Sequence, residues 1–182
     1  MRLSEAIDLI DHPLLRAAIA PHAATTSREA IAPRPQRWAD LGCGDGLFTE
    51  ALARFLPAGS SLYGVDLRPT LHSASVGEVS LIPVKTDFIN IPLPLDDLDG
   101  VLMANSFHYV KDKPEFLDRL QKLVLRPGAP LLLVEYDTDR PVPTWVPWPV
   151  SFHSLQALLP QARKLGEAPS RFGGKMYAAL VM

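Results

Sequence analysis

Three glycines and two carboxylates fall within the short stretch "DLGCGDG", residues 40–46. Such a stretch acts through what it lets approach. Glycine removes the side chain and admits a ligand to the backbone, while Asp40 and Asp45 bring negative charge beside it. Nucleotides, dinucleotides and adenosyl cofactors all bind at turns of this kind. The phosphate-cradling G-x-x-x-x-G-K-[ST] pattern is absent, with neither its spacing nor its lysine. The dinucleotide pattern G-x-G-x-x-G is incomplete, because Leu47 stands where its third glycine belongs. Two carboxylates suit a cationic ligand better than a pyrophosphate. Cys43 has no base implied beside it, so it reads as a small filler whose backbone lies near the ligand, not as a nucleophile.

A turn of this kind needs a strand before it and a helix after it. Trp38 to Leu41 is a short apolar strand, and Phe48, Ala51, Leu52, Phe55 and Leu56 recur at helical spacing until "PAGS" stops them. Further strands are expected at "SLYGVD" (61–66), "SLIPVKTD" (80–87), "DGVLMAN" (99–105) and "PLLLVEY" (130–136). Pro83 counts against a central ladder position for the third strand. Residues 68–78 read as a weak helix or a loop. Pro114 opens a helix whose buried stripe is Phe116, Leu117, Leu120, Leu123 and Val124, and "RPG" ends it. A last helix carries Phe152, Leu155, Leu158 and Leu159. Residues 161–167 and 175–182 are expected to pair as a hairpin around Gly173 and Gly174. Residues 1–20 look helical, with Leu3, Ile7, Ile10, Leu14 and Leu15 on one side and a kink at Pro13. A short helix is expected around residues 27–32.

The alternation of strands and helices implies an α/β fold: a doubly wound, Rossmann-like, mostly parallel sheet with helices on both faces. Ligands bind such sheets at the carboxyl ends of the strands, where the strand order reverses. The glycine turn lies there. At 182 residues the chain is read as a single domain, residues 1–182. Its parts are an N-terminal helical cover or lid (1–35), a cofactor-binding core (36–137), and a loop, helix and C-terminal β-hairpin on the substrate side (138–182). A net charge of −2 gives no electrostatic case for nucleic acid or membrane as a partner. No apolar run approaches the ~20 residues of a membrane helix, and one cysteine cannot staple a fold. The expectation is a cytoplasmic protein with no metal and with a homodimer possible. The 18 prolines, about twice the ~5% of average usage, gather in "IAPRPQ" and in "RPVPTWVPWPV". Trp145 and Trp148 in the second cluster either anchor a stiff loop, wall a substrate site, or offer a partner surface.

"DLGCGDG" resembles motif I, D/E-x-G-x-G-x-G, of the class I S-adenosylmethionine-dependent methyltransferases, small-molecule enzymes of the type 11/25 kind. The resemblance runs over residues 36–137. It implies a seven-stranded sheet whose last strand is antiparallel, which agrees with the C-terminal hairpin. It implies S-adenosyl-L-methionine as cofactor and S-adenosyl-L-homocysteine as product, held by Asp40, Gly42, Cys43, Gly44 and Gly46. Asp66, followed by Leu67, corresponds to the acid that grips the ribose hydroxyls. Asp87 and Phe88 correspond to the adenine side, and Asn105 to the loop beneath the cofactor. "MANSFHYV" resembles the family's A-x-x-x-H-x-V variants, which makes His108 and Tyr109 candidate catalytic residues. "LRPGAPLLLVEYD" is similar to L-x-P-G-G-x-L-x-x-x-[DE], with Ala129 in place of the second glycine.

Methyl transfer from a sulfonium is an in-line displacement on an activated carbon. Proximity supplies much of its rate, and a base helps only where the acceptor must lose a proton early. Motifs of this kind therefore report the cofactor and say little about the acceptor. No "NPPY"-like segment follows the fourth strand, which counts against amino-group methylation of nucleic acid. The expected function is methyl transfer to a small-molecule acceptor. The alternative is a non-catalytic cofactor-binding or interaction protein on the same fold. Aminopropyl transfer would also use this fold, but its acidic acceptor motifs are not evident.

Overall fold

The computed structural model describes residues 1–20, 34–90, 93–171 and 173–182. The helix expected around residues 27–32 lies outside them. Two short helices open the chain, α1 (Leu3–Ile10) and α2 (Pro13–Ile19). Pro13 does not kink one helix but starts a second. His12 caps it by accepting from the Leu14 amide at 3.1 Å, and proline at the first helical position loses no hydrogen bond. The break resets the helical phase, so Leu14 is exposed while Leu15 and Ile10 are buried.

The expected alternation follows: β1 (Arg37–Leu41), α3 (Leu47–Ala53), β2 (Ser61–Asp66), β3 (Ser75–Val76), β4 (Val79–Lys85), β5 (Gly100–Ala104), a single 3-10 turn (Phe107–Tyr109), α4 (Lys113–Leu123), β6 (Leu131–Tyr136), α5 (Phe152–Leu158), β7 (Arg163–Pro169) and β8 (Lys175–Val181). All eight strands form one sheet in the order β3-β4-β2-β1-β5-β6-β8-β7. The five from β4 to β6 are parallel, β8 runs antiparallel to β6, and β7 pairs antiparallel with β8. The strand beyond the expected seven is β3, two residues paired antiparallel with Val79 and Ser80. It forms where the sequence suggested a weak helix or a loop.

Because β3 is so short, β4 is an edge strand over most of its length. The amides of Ser80 and Thr86 point to β2, at Ser60 and Asp66, whereas that of Leu81 points outward to Ala74. Pro83 shares the outward phase, so its missing N–H breaks no ladder bond.

Strand residues alternate between two apolar layers. Ala39, Leu41, Val101, Met103, Leu133 and Tyr177 face one core with α4 and α5, built on Phe116, Leu120 and Leu155. Trp38, Leu62, Leu102, Leu132 and Leu180 face the other with α1, α2 and α3. The α4 stripe holds for Phe116, Leu120 and Val124, but Leu123 is half exposed, because the helix ends there and the chain turns toward β6. At β7 the sheet carries a bulge between Lys164 and Gly166. A Cβ at Gly166 would stand 2.7 Å from the Leu9 carbonyl oxygen, so α1 lies directly on that strand. No helix among the described residues is long and apolar enough to cross a membrane.

The strand order reverses at β1, whose neighbours are β2 and β5. Their carboxyl ends therefore converge on the chain that follows Leu41 and on the chain that follows Ala104.

Candidate functional site

The turn after β1 is set by three residues with left-handed backbone: Gly42 (φ 83°), Gly44 (53°) and Gly46 (84°). The amides of Gly42 and Cys43 donate to the Val65 carbonyl at 2.7 and 3.1 Å, which pins the turn to the end of β2. At Gly42 there is also no room for a side chain. A Cβ would stand 2.4 Å from the Ser106 Cβ and 3.1 Å from the Phe88 ring. Ser106 is buried, and its hydroxyl donates back to the Leu41 carbonyl. The turn and the loop after β5 thus interlock.

The register of β1 sends Asp40 to the α3 face, where it is 1% exposed. Its Oδ2 accepts from the Thr49 hydroxyl at 2.6 Å, and its Oδ1 has no partner among the described residues. Burial pushes the Asp40 carboxyl up to about 7; the Thr49 bond opposes this, and the charges of Asp66 and Asp45 add to it. Across the crevice Asn105 adopts a left-handed backbone (φ 54°), which asparagine tolerates. Its amide donates to the Val134 carbonyl at 2.8 Å, and its Oδ1 is likewise buried without a partner. A buried acceptor without a donor is costly. Both residues line one cavity, where a ligand bringing N–H groups would relieve that cost.

That cavity has a volume of about 840 Å³. Asp40, Gly42, Cys43, Gly44, Asp45 and Asn105 line it on the core side. Met1, Arg2 and Glu5 at the start of α1, and residues 168–171 with Met176 of the hairpin, line it on the other. The Arg171 guanidinium donates to the Met1 carbonyl at 2.8 Å, joining the two parts of the cover. Part of the segment expected as a cover therefore lies at the cavity, and residues 21–33 of it lie outside the described residues. Burial raises the Cys43 thiol to about 12, with Asp40 adding, which fits a filler and not a nucleophile.

The other expected cofactor residues do not line this cavity. Gly46 stands at the N-terminus of α3 with a left-handed backbone, and a Cβ there would displace a Leu71 methyl 2.7 Å away. Asp66 stands behind the turn: its Oδ2 accepts from the Gly44 amide at 3.1 Å and its Oδ1 from the Arg68 amide at 2.9 Å. Leu67 is exposed. Asp87 accepts from the Ile89 amide and the Asn90 side chain, a local loop-closing arrangement. Phe88 is buried, with its ring edge toward Gly42.

A second cavity of about 250 Å³ adjoins the first. His108, Tyr109, Tyr136, Thr144, Trp145 and Val146 line it together with Asn105. Asn105 and Tyr136 belong to both cavities and form their common wall. His108 is buried, and Glu135, fully buried in β6, holds it twice. The ring Nδ1 lies 2.7 Å from Oε2, and the His108 amide donates to Oε1 at 3.1 Å. Trp145 lines the cavity, whereas Trp148 does not. The Trp148 amide donates to the His108 carbonyl at 3.1 Å, and its own carbonyl accepts from Lys113 Nζ at 2.7 Å. The proline-rich segment is thus strapped down by Trp148 and presents Trp145. Glu135, Tyr136, Thr49 and Ser106 were not singled out from sequence. Glu135 alone carried a signal, as a carboxylate in a continuous apolar strand that must find a partner. Among the described residues no group of three or more His, Cys, Asp or Glu side chains is placed to hold a metal ion.

Residues 39–133 match the family model described as a methyltransferase domain. Over 104 residues the chain is 30% identical to a 2-phytyl-1,4-naphtoquinone methyltransferase of Nostoc punctiforme, covering 53% of this chain and 45% of that protein. Over 103 residues it is 33% identical to an uncharacterised methyltransferase of Mycobacterium tuberculosis, covering 54% and 50%. The chain thus spans about half the length of the curated relatives it matches. The fold is similar to that of a SAM-dependent methyltransferase from Aquifex aeolicus (TM-score 0.54, 20% identity, all of both chains). It is also similar to that of a Burkholderia thailandensis 1,6-didemethyltoxoflavin-N1-methyltransferase (TM-score 0.59, 18% identity, 97% of this chain and 77% of that one). The match begins within β1 and ends within β6, taking in the glycine turn and the loop after β5, and on that span the chain belongs to the methyltransferase domain family.

Proposed function

We propose that this chain binds S-adenosylmethionine in the larger cavity and transfers its methyl group to a small-molecule acceptor in the smaller one. The observation that carries this reading is the common wall. Two adjoining cavities, one with unpartnered buried acceptors and one walled by aromatic rings, meet at Asn105 and Tyr136. The donor set suits the cofactor. Asp40 and Asn105 offer oxygens to an α-ammonium, and the bare Gly42–Cys43–Gly44 backbone admits a methionine tail that carries no phosphate. When bound, the cofactor supplies a methyl group already activated by its sulfonium.

The chain's own residues do the rest. Asp40 and Asn105 orient the tail. Asp66, fixed by the Gly44 amide, keeps lone pairs for the ribose hydroxyls. Phe88 and Asp87 are assigned to the adenine side. The cover from α1 and the hairpin excludes water, and the common wall holds acceptor and methyl group close enough for proximity to supply much of the rate. The name of the Nostoc relative supports an acceptor of small-molecule size.

Calorimetric titration with S-adenosylhomocysteine, with NAD as control, tests the reading. Saturable micromolar binding of the first alone is expected. Absence of S-adenosylhomocysteine binding overturns it.

A further inference from the structure

We infer that the smaller cavity takes a flat aromatic acceptor bearing a hydroxyl group, and that the His108–Glu135 pair takes the hydroxyl proton. This rests on the function proposed above and names its substrate class.

The walls argue for the ring. The His108 ring centroid lies 4.4 Å from that of Tyr109 and 6.0 Å from that of Tyr136. Three of the lining residues therefore bring their rings together. Trp145 and Val146 come to it from the segment after β6. Flat π-systems gain from such partners beyond their buried area, and a cavity of about 250 Å³ suits one or two fused rings. Among the described residues no Lys or Arg lines it, so none of them recruits a carboxylate or a phosphate. Its ionisable groups are His108, Tyr109 and Tyr136, with Glu135 behind His108 and the Lys113 charge acting on Glu135 from α4.

The pair argues for the hydroxyl. A carboxylate only accepts hydrogen bonds, so the 2.7 Å contact puts the His108 proton on Nδ1. Nε2 then carries the lone pair, and it meets no hydrogen-bond partner among the described residues. Glu135 is 0% exposed and holds His108 through both carboxylate oxygens, which fixes the ring with Nε2 on its far side. The pair is therefore built to receive a proton at Nε2, with Glu135 as the positioning residue. In the step, the acceptor oxygen bonds to the methyl carbon as the carbon–sulfur bond breaks. The electron pair of that bond stays on sulfur, and the hydroxyl proton passes to Nε2 and then to solvent. Nothing is oxidised or reduced.

Two measurements on the full chain, with no cofactor added, test this apart from the reading it rests on. In ¹H–¹⁵N spectra of the ring nitrogens, His108 should carry its proton on Nδ1, and adding 2-naphthol should shift Nε2 while cyclohexanol leaves it in place. Calorimetry should show 2-naphthol binding that weakens tenfold or more in Trp145→Ala. A proton on Nε2 in the free protein overturns the inference. So does an unmoved Nε2 at the highest 2-naphthol concentration, equal binding of cyclohexanol, or unchanged binding in Trp145→Ala. Each can occur while S-adenosylhomocysteine still binds, so failure here and failure of the proposed function are separable.

Discussion

Gly42 and Ser106 occupy each other's only available space: a Cβ on the first would lie 2.4 Å from the Cβ of the second. The ends of β1 and β5 are locked by that contact and by the Ser106 hydroxyl on the Leu41 carbonyl. Gly42→Ala carries both the clash and the cost of a left-handed alanine, about 1–2 kcal/mol for the backbone alone. Chemical denaturation should show a loss larger than that. Adding Ser106→Gly should remove the clash while losing the hydroxyl bond to Leu41, so the double mutant should lose less than the sum of the two single losses, with the backbone share retained.

Asp40 makes the apo protein sensitive to pH. Its carboxyl is raised from 3.8 to about 7 in the fold, so the folded chain keeps a proton that the unfolded chain has already lost. Stability contributed at this residue should fall as pH rises from about 4 to about 7 and then level off. Asp40→Asn should flatten that slope in melts taken across the range. A cationic ligand at Oδ1 favours the carboxylate, so S-adenosylhomocysteine should bind more tightly as pH rises through about 7, and the Asn variant should lose this dependence.

Asp66, proposed above for the ribose hydroxyls, stands behind the turn and holds the Gly44 amide. Asp66→Ala should weaken S-adenosylhomocysteine binding by about 1.5–3 kcal/mol, the range for hydrogen bonds to a charged group. Titration calorimetry measures it directly. Unchanged affinity removes Asp66 from the site.

Lys113 is the strut of the proline-rich segment. Burial holds its ammonium below the ordinary range, with Glu135 opposing. The ammonium donates to Val110 at 2.9 Å and Trp148 at 2.7 Å and lies 5.1 Å from the Phe107 ring centre. Lys113→Met should loosen residues 140–150 while leaving the cofactor side intact. Trp38 is fully buried, so acrylamide quenching reports Trp145 and Trp148. It should rise in the variant, with S-adenosylhomocysteine affinity unchanged.

The fold was legible wherever an apolar run or a helical stripe carried it. Residues 61–66 form the strand expected of them, and Pro114 sits in a first turn as expected, whereas Pro13 starts a second helix where a kink was expected. Residues 68–78 were ambiguous because their structure is made by distant partners: Thr70 to the Gly44 carbonyl, Ser73 to Glu50. At the larger cavity, Asp40, Gly42, Cys43 and Gly44 come together as one short turn, which the sequence displays as a unit. At the smaller cavity His108, Tyr109 and Trp145 were named, but not the partners that assemble them. His108 and Glu135 are 27 residues apart and meet only because β5 and β6 are neighbours. Trp145 and Trp148 differ in role through an irregular segment that has no period to read.

The two rims of the sheet bear on how the protein behaves in concentrated solution. An unpaired strand is a template on which another chain can add itself and begin a fibre. On one rim Pro83 offers no N–H to a newcomer. On the other, β7 is bent by its bulge, carries Lys164 and Glu167, and ends in Pro169. Among the described residues neither rim gives an incoming strand an unbroken row of donors, so neither offers copies of the chain a continuous template to stack on.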